Sequence, residues 1–69
     1  MTLYLENKTE EEYINAIKGK WGIYIMIPKP DAEDFSASGH ADLFGVRYCY
    51  SGCYFQYAKE IYFWELDNN

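Results

Sequence analysis

Apolar residues in this chain change their spacing at Gly19-Lys20, from helical to alternating. Before that point Tyr13, Ile14 and Ile17 form a narrow stripe at helical spacing. Thr9 stands three residues ahead of Glu12, the arrangement of a capping box. Glu10, Glu11 and Glu12 place negative charge in the first turn, where the helix dipole favours it. Gly19 supplies a stop, with Lys18 and Lys20 beside the negative end. These signals predict a short helix over 10–18, which must dock on other elements to persist.

After Gly19 the period is two. Residues 21–27 predict the strongest strand, with Ile23, Ile25 and Ile27 on one face and Tyr24 and Met26 on the other. Apolar residues on both faces predict a central strand covered on both sides. Pro28 and Pro30 end it, and an acidic loop with Asp31, Glu33 and Asp34 follows to Ser38. A second strand is expected over 39–45, between two glycines. Residues 46–58 read as irregular, with room for one short strand. A last strand over 60–66 sets Tyr62, Trp64 and Leu66 against Ile61, Phe63 and Glu65, ahead of a polar end at Asp67-Asn68-Asn69. The expected fold class is α+β, an N-terminal helix followed by a small antiparallel sheet, in a single domain over 1–69.

Composition sharpens this picture. A chain of 69 residues buries only about 60% of its unfolded surface, so its stability is marginal. Aromatic residues make up 20% of it, too many for a disordered segment. The net charge of −5 and the scattered Lys and Arg provide no basic stripe, which argues against nucleic-acid binding. No apolar run has membrane-span length, and the N-terminus has no signal-peptide pattern.

Chemistry centres on few residues. His40 is the only histidine, and strand alternation points it to the same face as Asp42. A lone histidine is more often structural than catalytic. Cys49 and Cys53 flank Tyr50-Ser51-Gly52, a turn that can bring the thiols together. They read as a local disulfide, as half of a metal site or as two small buried hydrophobes. His40, Asp42, Cys49 and Cys53 are acceptable zinc-ligand types, but their spacing matches no standard zinc pattern.

The segments IKGKWGIYIM, SGHADLFG, CYSGCYF and AKEIYFWEL occur in that order. This succession resembles the C-terminal part of the fourth amidase effector family of type VI secretion systems, which is similar to the NlpC-type branch of papain-like cysteine peptidases. The resemblance runs from Ala16 to Leu66. It implies half of a papain-like fold, with His40 as the catalytic general base and Cys49 and Cys53 as a loop disulfide. It also implies a peptidoglycan peptide as substrate, no cofactor or metal, secretion into the periplasm of a target bacterium, and an immunity protein as a partner.

Two departures accompany it. The family tends to place an Asp near the cysteine loop, whereas Ser51 stands in this region, which leaves Asp42 or the weaker candidate Gln56 to orient the imidazole. Papain-like enzymes carry the nucleophilic cysteine upstream of the histidine, at a helix start that lowers the thiol pKa. Residues 1–39 contain no cysteine. Permuted relatives, with the histidine first, have a much longer gap than the one between His40 and the cysteines. The implied partner is therefore a cysteine-bearing N-terminal half, or a second copy, meeting an apolar sheet face with His40 at its edge. The alternative is a non-catalytic aromatic-rich module that binds a protein or a muropeptide.

Overall fold

The computed structural model describes residues 2–30 and 39–66. The acidic loop after Pro30 and the polar C-terminal end lie outside the described residues. The order of elements is β1 (Thr2–Glu6), α1 (Glu10–Ile17), β2 (Trp21–Pro28), β3 (His40–Gly45), a 3-10 turn (Phe55–Tyr57) and β4 (Ala58–Glu65). The strands form one sheet in the order β1-β4-β2-β3, antiparallel throughout. The α+β class is as expected, but a strand precedes the helix. In β1, Leu3 and Leu5 alternate inward against Thr2, Tyr4 and Glu6, and the strand pairs with the last one, Leu3 opposite Phe63 and Leu5 opposite Ile61.

Helix α1 starts as its sequence predicts. The Thr9 hydroxyl accepts from the Glu12 N–H at 3.1 Å, and the Thr9 N–H donates to the Glu12 carboxylate at 2.9 Å. These bonds satisfy donors that a helix start otherwise leaves open. They also hold the Glu12 carboxyl below its ordinary range. Tyr13 and Ile17 are fully buried. The Tyr13 hydroxyl donates to the Lys59 carbonyl at 2.9 Å, so a buried ring fastens the helix to β4 through its polar tip. Gly19 has φ +86°, and its N–H donates to the Val46 carbonyl, which ties the helix end to the turn after β3.

The core lies between the sheet and α1 with the 3-10 turn. Tyr24, Met26, Phe44, Ile61 and Phe63 point into it from the sheet, and Tyr13, Ile17 and Phe55 close it. A fully buried side chain of this size contributes roughly 1.5–3 kcal/mol. Gly22 makes the packing possible. A Cβ there would stand 2.2 Å from the Trp64 carbonyl oxygen and 2.7 Å from the Phe63 ring.

Among the described residues the other face of the sheet is open. Strand β2 lies between β4 and β3, as its pattern predicts, but the described residues cover only one of its faces. Across the open face the register aligns Thr2, Trp64, Ile23 and Leu43 in one row and Tyr4, Tyr62, Ile25 and Ala41 in the next. Trp21, Ile23, Leu43, Tyr4 and Trp64 each keep more than a third of their surface exposed. Tyr4 and Tyr62 pack with centroids 4.9 Å apart, and Tyr62 stacks on Trp64. The face ends in Glu6 opposite Glu60, and the Tyr4 hydroxyl bonds to both. The bond to Glu60, first among several causes, pushes the Tyr4 phenol above its ordinary range.

Candidate functional site

Strand β3 forms one edge of the sheet, and His40 is its first residue. His40 pairs with Met26 and Asp42 with Tyr24, so both side chains stand on the face that carries the core. The expectation that His40 borders the open apolar face is corrected by this register. A strand exposes successive residues on opposite faces, and the face of Met26 is the one under α1.

The cysteine loop returns along this edge. Phe44 bridges to Cys49, the Gly45 N–H donates to the Tyr48 carbonyl at 2.8 Å, and the Tyr50 N–H donates to the Leu43 carbonyl at 3.0 Å. Cys49 and Cys53 form a disulfide with their Cα atoms 5.1 Å apart, closing the turn that Ser51 and Gly52 occupy. Both sulfurs are therefore committed to each other. A zinc site built on them would first require that bond to be reduced, and the described residues contain no cluster of three metal-ligating side chains.

Two side chains of β3 hold two consecutive loop residues. The Asp42 carboxylate accepts the Ser51 N–H at 2.7 Å, and His40 Nε2 lies 3.1 Å from the Gly52 carbonyl oxygen. A carbonyl only accepts, so Nε2 carries the proton and donates. The Tyr24 hydroxyl donates to the same carbonyl at 2.9 Å. Gly52 adopts φ +113°, where side chains are strained, and a Cβ would stand 3.0 Å from the Tyr54 ring. The His40 ring meets Tyr54 edge-on, with centroids 5.0 Å apart, and Tyr24 at 6.0 Å.

The electrostatics follow from these contacts. Partial burial pushes the Asp42 carboxyl upward, but the Ser51 and Leu43 N–H groups, the Ser51 side chain and the charge of His40 outweigh it and hold the carboxyl below its ordinary range. Burial pushes the Tyr24 phenol upward, and the Asp42 charge adds to that. Tyr24 thus remains a neutral donor toward Gly52.

His40, Asp42, Cys49 and Cys53 all gather at this edge. Gln56 is exposed on the 3-10 turn. Tyr24 and Gly52 join the cluster without a sequence motif of their own. The signals available for them are the strand alternation that faces Tyr24 inward and a glycine placed in the cysteine turn. Among the described residues no helix is long and apolar enough to cross a membrane. Compared with protein-family models, with curated proteins and with solved structures, the chain matches none.

Proposed function

We propose that this chain supplies the catalytic histidine of a peptidoglycan-cleaving cysteine amidase of the type VI secretion effector kind. The observation that carries this reading is the tether of His40, with Nε2–H donated to the Gly52 carbonyl at the edge of the sheet. In that tautomer Nδ1 holds the lone pair that a general base needs. Nδ1 takes the proton of a cysteine thiol, and the thiolate attacks the carbonyl carbon of a peptidoglycan amide. The imidazolium then protonates the departing amine as the C–N bond breaks, leaving a thioester for water to hydrolyse.

The nucleophile comes from outside residues 1–69, because the chain's only two cysteines are joined as a disulfide. The same disulfide suits delivery to an oxidising periplasm. Since His40 stands on the α1 side, the cysteine-bearing partner meets β3 on that side. An immunity protein that blocks the amidase would act at the same edge. The test is release of stem peptides from purified peptidoglycan by this chain mixed with a cysteine-bearing amidase half, compared with His40→Ala.

The open sheet face favours a second reading, a non-catalytic module that binds a protein or a muropeptide through Tyr4, Tyr62 and Trp64. Exposed apolar area of this kind marks interaction surfaces. Binding that survives His40→Ala and is lost in Trp64→Lys, with no hydrolysis under any pairing, would favour it.

A further inference from the structure

The amidase reading requires a group that orients the imidazole, and the side chains near His40 do not have to supply it. Resting on that reading, we propose that the orienting group is the main-chain carbonyl of Gly52, with Asp42 and Tyr24 as positioning residues that act through the loop carrying it.

The carbonyl is held from three directions. Strand β3 grips the loop at adjacent positions, through Asp42 on the Ser51 N–H and His40 on the Gly52 oxygen. Strand β2 adds the Tyr24 hydroxyl on the same oxygen, whose two lone pairs accommodate both donors. The Tyr24 ring is itself fixed in the core, edge-on to Phe55 at 5.0 Å. The Cys49–Cys53 bond closes the loop on either side of these two residues. The positive φ of Gly52 sets the direction of its peptide group at a position where other residues are strained.

This arrangement has a chemical consequence. A main-chain carbonyl has no donor state, so it selects the Nε2–H tautomer at every pH where the ring is neutral. Its own contact brings no negative charge to the ring. The Asp42 carboxylate, which would add that charge by direct contact, accepts the Ser51 N–H and so secures the loop. The orienting element is therefore a shape, built from a glycine, a disulfide and two strand side chains.

The chain's single histidine makes the test direct. Long-range proton–nitrogen spectra of the uniformly 15N-labelled full chain report the tautomer and the exchange of Nε2–H. The expected result is protonated Nε2, unprotonated Nδ1, and Nε2–H exchange slowed by about tenfold or more relative to free histidine, as for a formed hydrogen bond. Asp42→Ala and the double variant Cys49→Ser with Cys53→Ser should each return that exchange toward the free value, while amides of β2 and β4 stay protected. An Nδ1–H tautomer or averaged nitrogens in the unmodified chain would overturn the proposal. So would Nε2–H exchange unchanged in both folded variants. An intact Nε2–H signature without any His40-dependent hydrolysis would instead defeat the amidase reading alone.

Discussion

The Nε2 of His40 and the main-chain oxygen of Gly52 stand 3.1 Å apart, twelve residues from one another in sequence. Side chain and backbone meet because β3 and the cysteine loop run along the same sheet edge. Gly52 is the position where this relationship is most easily broken. Its φ of +113° disfavours any Cβ, and the Tyr54 ring occupies the space. Gly52→Ala should lower stability by roughly 1–3 kcal/mol. In a domain this small that corresponds to roughly 4–8 °C in melting temperature per kcal/mol. Thermal unfolding followed by circular dichroism checks it, and an unchanged melting temperature would mean that the turn has another conformation.

Asp42 makes stability depend on acidity. Its folded-state carboxyl titrates below its ordinary value of 3.8, so its contribution is present above that value and is lost as the pH falls through the lower, folded one. Glu12 shifts in the same direction through its bonds to Thr9. Unfolding free energy should therefore decline as the pH drops below about 4. Asp42→Asn should make that decline shallower without removing it, since Glu12 remains. Urea titrations between acid and neutral pH measure both slopes, and identical slopes in the two proteins would sink the assignment.

Reduction of Cys49–Cys53 should cost about 2 kcal/mol by the chain-entropy estimate for so short a loop. The effect should be local, because the bond closes only the turn between Cys49 and Cys53, outside the helix and the strands. Hydrogen exchange with and without reductant should show faster exchange at Tyr50 and Ser51, whose N–H groups bond to Leu43 and Asp42. Central amides of β2 and β4 should change far less. Loss of protection across the whole sheet would show that the loop is part of the global core.

Much of this fold was legible from local signals, and what was missed is mostly non-local. Thr9 with Glu12 predicts the helix start because a capping box is written within four consecutive residues. Strand β2 announces its central place through a run that is apolar on both faces. Strand β1 carries a weaker signal, five residues long, and its partner is the far end of the chain. Covering of β2 on both sides was expected from its composition, yet α1 lies on the face of Tyr24 and Met26, and Ile23 on the other face stays 40% exposed. The face of His40 depends on register with Met26, which a single sequence does not specify. The Gly52 carbonyl left no mark beyond a glycine in a turn, because a backbone acceptor has no residue type.

The open sheet face should make the isolated chain associate. Trp21, Ile23, Leu43 and Trp64 form an apolar surface whose neighbours on the strands include no Lys or Arg. At concentrations on the order of tens of micromolar, light scattering should give a mass above that of a monomer. Ile23→Lys with Trp64→Lys should restore the monomer while leaving the fold intact, since both side chains point away from the core. A monomeric wild-type chain at these concentrations would contradict this.

The central claim is that His40 serves a thiol carried by another polypeptide segment. The decisive measurement is chromatographic detection of stem peptides released from purified peptidoglycan, with this chain alone and with the cysteine-bearing amidase segment. No release is expected from the chain alone. Release is expected from the pair, falling by roughly the 10²–10⁴-fold that general-base catalysis contributes when His40 is changed to Ala. Turnover by the chain alone that is lost in both Cys49→Ser and Cys53→Ser would contradict the account, as would turnover by the pair that His40→Ala leaves unchanged.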